Sequence, residues 1–164
     1  MPLTEMQQQI VDGVQEHGWF SISVFEDEEG PSFSYTIGLW ETLAVPEIVI
    51  CGLPRKLMHN MLWEAFHQLK SGKMRLEDHA RWSGLIEGFD CISRPVHPDH
   101  IGPDYFSQSL WYRRFRSGSD LGLTGFQLFW PSKTTGLFPW EDGCSEEVRN
   151  WQPLLYFPKK TGQA

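Results

Sequence analysis

The run Phe33-Ser34-Tyr35-Thr36-Ile37-Gly38-Leu39-Trp40 constrains the fold of this chain more than any other segment. Side chains of a β-strand point alternately to opposite faces. Here Phe33, Tyr35, Ile37 and Leu39 share one face, and Ser34, Thr36, Gly38 and Trp40 share the other. Upstream, between Trp19 and Phe25, Phe20, Ile22 and Val24 alternate with Ser21 and Ser23, and Glu26-Asp27-Glu28-Glu29-Gly30-Pro31 reads as a turn. The two runs predict an antiparallel hairpin, Trp19 to Phe25 against Ser32 to Trp40. Gly38 breaks the wide face and leaves room for a ring or a ligand.

The remaining elements follow from periodicity and punctuation. Thr4 with Gln7 forms a capping box, and Met6, Ile10, Val11 and Val14 repeat at helical spacing as far as Gly18. Glu47 to Cys51 is short, continuous and β-branched, as expected of a central strand buried on both faces. Pro54 opens and Gly72 closes an amphipathic helix that carries Leu57, Met58, Met61, Leu62, Ala65, Phe66 and Leu69 on one face. Arg81 to Ile86 and Asp90 to Val96 read as a second strand pair, 104–115 as a helix, and Gly125 to Trp130 as the last clear strand. Glu146 to Asn150 fits a single helical turn, and Gln152 to Tyr156 an extended segment. The sum is an α+β fold, a mostly antiparallel sheet of five or six strands with two or three packed helices. One globular domain is expected over residues 1–158, with 159–164 as a flexible tail.

Composition narrows the function classes. A formal charge of −7 argues against nucleic acid, whose affinity comes from Lys and Arg on phosphates. Fourteen per cent of the residues are aromatic, more than a small core needs, so some rings should face a contact surface. The polar N-terminal residues lack a signal-peptide pattern and the longest apolar run, Ile48 to Leu53, is too short to span a bilayer. Cys51, Cys91 and Cys144 are odd in number and widely spaced, which fits reduced thiols in a cytoplasm.

An ordered series of motifs, Gly18-Trp19, Phe33 to Leu39, Pro46-Glu47, Gly52-Leu53-Pro54, Leu128-Phe129-Trp130-Pro131, Phe138-Pro139-Trp140 and Gln152-Pro153, resembles the bacterial family called domain of unknown function 4262. The resemblance spans roughly residues 10–155. It implies a small cytosolic α+β domain and brings no established catalytic residues.

No Gly-x-Ser-x-Gly elbow, phosphate loop, dinucleotide fingerprint, His-Glu-x-x-His or paired Cys-x-x-Cys is present. His59 and His67 lie on one helical line with Trp63 between them, but eight residues of helix separate them by about 12 Å, too far for one metal. His97-Pro98-Asp99-His100 is a better convergence of imidazole and carboxylate, and Cys91 with His97 or His100 would pair thiol with imidazole. Turn hydrogen bonds and surface histidines account for the first, and Cys51, in the most apolar strand, is expected to be an inert small hydrophobe; no catalytic residue, metal or cofactor is expected. Cys144, beside Asp142 and Gly143, is expected on the surface.

Two constellations stand out. Tyr35, Thr36 and Trp40, with Trp130 and with His97 and His100, are candidates for an aromatic ligand pocket in which the histidines act as acid/base groups. Glu26, Asp27, Glu28, Glu29, Glu41, Glu141 and Asp142, with Trp140 as an aromatic anchor, are candidates for a surface that binds a protein such as a basic toxin domain. The preferred expectation is a non-enzymatic cytoplasmic binding protein, such as an immunity-type inhibitor that neutralises a toxin by protein–protein contact. A small enzyme or ligand-binding domain is the alternative. Neither reading calls for nucleic acid or a membrane.

Overall fold

The computed structural model describes residues 2–160. Its sheet has six strands, β1 (Phe20–Val24), β2 (Phe33–Ile37), β3 (Glu47–Cys51), β4 (Ala80–Ile86), β5 (Phe89–Pro95) and β6 (Gly125–Phe129), in the spatial order β1-β2-β3-β6-β5-β4. The expected hairpin is present, with Ile22 opposite Tyr35 at its centre. β3 occupies an inner position with every residue buried. β3 and β6 run parallel, so the sheet is mixed, although every other pair is antiparallel. Periodicity reports which face a side chain takes but not the direction of a distant neighbour, which is why this pairing was not visible in the sequence.

Five α-helices are present among the described residues, where two or three were expected: α1 (Glu5–His17), α2 (Leu39–Thr42), α3 (Arg55–Lys70), α4 (Pro103–Ser117) and α5 (Glu146–Trp151). α1 begins at the predicted capping box: Thr4 Oγ1 accepts from the Gln7 N–H at 3.1 Å, and Gln7 Oε1 accepts from the Thr4 N–H at 3.0 Å. The sheet separates two apolar layers. Met58, Met61, Leu62 and Phe66 of α3 pack on Ile48, Ile50, Trp82 and Leu128. Ile10 and Val14 of α1 and Phe106 and Tyr112 of α4 cover the opposite face with Tyr35, Ile37 and Val49. Ile48 and Val49, adjacent in β3, fall into different layers, as strand alternation requires.

α2 corrects the expected hairpin. The strand stops at Ile37 because Gly38 adopts φ +95° and turns the chain into one helical turn. A Cβ at Gly38 would stand 2.9 Å from Val14 Cγ1, so the missing side chain admits α1 rather than a ligand. Leu39 therefore joins the α3 layer and Trp40 the α1–α4 layer, the reverse of what a continued strand would give. At the C-terminal end, residues 152–156 form no strand. They are held by side chains instead: Gln127 donates to the Pro153 carbonyl at 2.9 Å and accepts from the Leu155 N–H at 3.2 Å. Lys159, expected in the tail, donates its N–H to Asp99 at 3.1 Å, and the rest of that tail from residue 161 lies outside the described residues.

Leu62 has no exposed surface and sits where α3 meets the sheet. Leu62→Ala should cost about 2 to 5 kcal/mol, read as a lowered denaturant midpoint with an unchanged slope.

Candidate functional site

The six residues of the expected aromatic pocket do not converge. Tyr35 is buried in the α1–α4 layer, where its hydroxyl accepts from the Gln108 N–H at 3.0 Å and burial pushes its pKa up to about 12. Trp130 is buried in the α3 layer and donates to the Cys51 carbonyl at 2.8 Å. Trp40 lies under the Arg113 guanidinium, 4.8 Å from its ring centroid. His97 Nδ1 accepts from the Asp99 N–H at 3.0 Å, capping a 3-10 turn over Pro98–His100, and His100 bonds the Phe157 carbonyl at 3.0 Å. Thr36 belongs to a buried polar cluster. Its hydroxyl donates to Glu47 Oε1 at 2.7 Å while its oxygen accepts from the Ile48 N–H at 2.8 Å.

Glu47 is the centre of that cluster and has no exposed surface. Its carboxylate also accepts from the N–H groups of Leu39 and Trp40, each at 3.2 Å, and so caps α2. Burial raises the Glu47 pKa to about 7, against the lowering effect of these donors. The cysteines are equally inward: all three are free and buried, and burial pushes Cys51 and Cys91 up to about 12. Cys144 was expected outside; it is turned in, with its thiol donating to the Leu137 carbonyl at 3.6 Å.

The expected acidic surface is also divided. Glu26, Asp27, Glu28 and Glu29 are exposed in the β1–β2 turn, where Asp27 Oδ1 accepts from the Glu29 N–H at 2.8 Å and holds the turn. Glu41 follows the other end of β2 and is already engaged, with Tyr112 at 2.5 Å and Arg116 at 2.7 Å. Trp140 is half-buried, stacked 5.2 Å from Phe138 and 5.3 Å from Arg94, so it anchors its own loop. Glu141 accepts from the Phe138 N–H at 2.8 Å, and only Asp142 of that pair is exposed.

A different set of residues forms a groove. Trp19, Ser21 and Ser23, at the two-residue spacing of a strand, face Arg55, His59 and Trp63, at the four-residue spacing of a helix, across a cavity of about 830 Å³. His17, Phe20, Lys56 and Asn60 complete its walls. Trp19 is almost fully buried and stacks on His59 at 5.7 Å and on Phe66 at 6.0 Å, which fixes the floor. Ser21 Oγ and His59 Nδ1 are hydrogen-bonded at 3.0 Å. No carboxylate lines the groove to orient the imidazole, so the pair lacks the third member of a nucleophilic triad. All four ionisable side chains here are basic types, in a chain of net charge −7. The sequence held both spacings, and His59 and Trp63 share a helical line; what it did not show is that β1 is an outer strand with α3 set beside it.

Residues 13–145 match the family described as Domain of unknown function (DUF4262), and the chain belongs to that family. No curated protein and no solved structure matches it. No helix among the described residues is long and apolar enough to cross a membrane, and those residues contain no group of three or more His, Cys, Asp or Glu placed to hold a metal ion.

Glu47 gives a signed pH dependence. Its folded pKa, about 7, lies above its ordinary 4.5, so between these values the folded chain holds more protons than the unfolded one. This contribution is fully present below pH 4.5 and is lost as the pH rises through about 7, a change of roughly 3 kcal/mol. Unfolding free energies measured from pH 4.5 to 8 should fall in the native chain relative to Glu47→Gln, which lacks the titration. Parallel pH profiles for the two would refute the assignment.

Proposed function

We propose that this protein is a non-enzymatic binding protein that takes up an extended segment of a protein partner as an added strand beside β1. The observation that carries the proposal is the position of the groove, which runs along an outer strand between that strand and a helix. Strand addition draws affinity from main-chain hydrogen bonds and specificity from pockets for alternate side chains. β1 supplies the first because it pairs only with β2, leaving its outer N–H and C=O groups unpaired. Trp19, Trp63 and their neighbours supply the second.

Charge describes the segment. Arg55, Lys56, His17 and His59 favour an acidic residue over the groove, whereas Glu26 to Glu29 beyond the far end of β1 favour a basic one. The basic partner expected for the acidic turn thus becomes one end of a bipolar segment. The free, buried cysteines support a reducing bacterial cytoplasm as the setting. An immunity-type inhibitor, which occludes a toxin by capturing such a segment, is one form this activity takes.

The test is selection from a randomised peptide library followed by hydrogen exchange on the complex. Selected peptides should be β-branched with an acidic end, and should slow exchange of the β1 amides. Arg55→Glu and Trp63→Ala, both at exposed positions, should each weaken binding by about tenfold without moving the unfolding midpoint. Peptides that bind while leaving the β1 amides unprotected would overturn the proposal.

A further inference from the structure

The two edges of the sheet are not equivalent. β4 is broken by a register shift between Trp82 and Ile86, contains Gly84 at φ +81°, and carries Arg81, paired with Asp90 at 3.9 Å. Bulges and charges of this kind prevent an edge from recruiting another strand. β1, Phe20-Ser21-Ile22-Ser23-Val24, has no charge, no proline and no register shift. Around it stand four of the eight large apolar side chains exposed among the described residues: Val24, Phe25, Trp63 and Trp151. Phe25 is 72% exposed, and with Trp151 it lines a second groove of about 330 Å³. That groove shares Ser23 and Arg55 with the larger one, so the two are continuous along β1. Apolar exposure concentrated on an unprotected edge marks an association surface.

Resting on the strand-addition reading, we infer that the segment received by β1 is β1 of a second copy of this chain, paired antiparallel about a two-fold axis at Ile22. What the chain itself presents to such an edge is an uncharged strand that runs into an exposed ring, Phe25. An antiparallel two-fold pairing sets opposite ends against each other. Centring on Ile22 keeps the whole of β1 paired and places Ser21 opposite Ser23 of the second copy and, one residue beyond the strand, Phe25 opposite Trp19. Opposed residues in an antiparallel pair project to the same face. Trp19, Ser21 and Ser23 line the α3 side, and Phe25 has the same parity, so its ring covers the Trp19–Trp63 floor of the other copy. The most exposed ring near β1 and the groove without a carboxylate are then two halves of one contact, made twice.

Sedimentation equilibrium decides the mass: the native chain should weigh twice its monomer. Phe25→Lys, at an exposed position, should weaken the dimer by about ten- to a hundredfold while its circular dichroism and unfolding midpoint stay native. An independent reading of register comes from the double variant Ser21→Cys/Ser23→Cys. The native cysteines are buried, so mild oxidation should link its chains in pairs and leave Ser21→Cys alone largely unlinked. A monomeric native chain overturns the inference, as does a dimer that survives Phe25→Lys and fails to cross-link. In the monomeric case strand addition itself is still decided by whether selected peptides protect the β1 amides, so the two failures are distinct.

Discussion

The rest of the structure depends on the burial of the Glu47 carboxyl. A carboxyl group removed from water needs a full set of hydrogen-bond partners, and this one recruits them from two elements, β2 and α2. Thr36 of β2 and the Leu39 and Trp40 amides of α2 donate to it, and the Thr36 carbonyl accepts from Ser109 of α4 at 2.7 Å. The Thr36–Glu47 bond fixes how the start of β3 meets the end of β2, the two amides fix α2, and Ser109 seats α4. Glu41, one residue after Trp40, reaches Tyr112 and Arg116 from the same turn. Several of the residues that look reactive in the sequence are therefore the fastenings of one junction.

The groove is a by-product of how the sheet is finished at its two sides. β4 ends the sheet with a bulge and an ion pair, whereas β1 ends it with neutral side chains, of which the short Ser21 and Ser23 face the first turns of α3. Because α3 packs its Met58, Met61, Leu62 and Phe66 face inward, Arg55, His59 and Trp63 remain on the flank that overlooks β1. The hydroxyls of Ser21 and Ser23 leave space there that larger side chains would fill. Binding capacity and an open edge thus arise from the same residues.

The C-terminal segment shows how side chains replace secondary structure. Gln152 accepts from the Trp130 N–H at 3.0 Å and donates to its carbonyl at 2.9 Å, as a strand neighbour would. Gln127 does the same for Pro153 and Leu155. The aromatic residues of 129–156 are used here: Phe129 and Phe138 pack against Trp140, and Trp140 and Tyr156 hold the Arg94 guanidinium over their rings.

The sequence by itself determined the local elements: the Thr4 capping box, the alternation that makes β1 and β2 a hairpin, the β-branched run of β3, and the helix between Pro54 and Gly72. Each is a short-range effect, written in residues one to four positions apart. It also placed the family. The tertiary structure alone decided the parallel pairing of β3 with β6, the diversion of Leu39 and Trp40 into a helical turn, and the separation of Tyr35 from Trp130 onto opposite faces. It decided too that Ser21 and His59, 38 positions apart, meet on a groove wall. Periodicity specifies which side of its own element a residue takes, while the neighbour on that side depends on sheet order and on where buried polar groups find their partners. The groove therefore exists because sheet order makes β1 the edge.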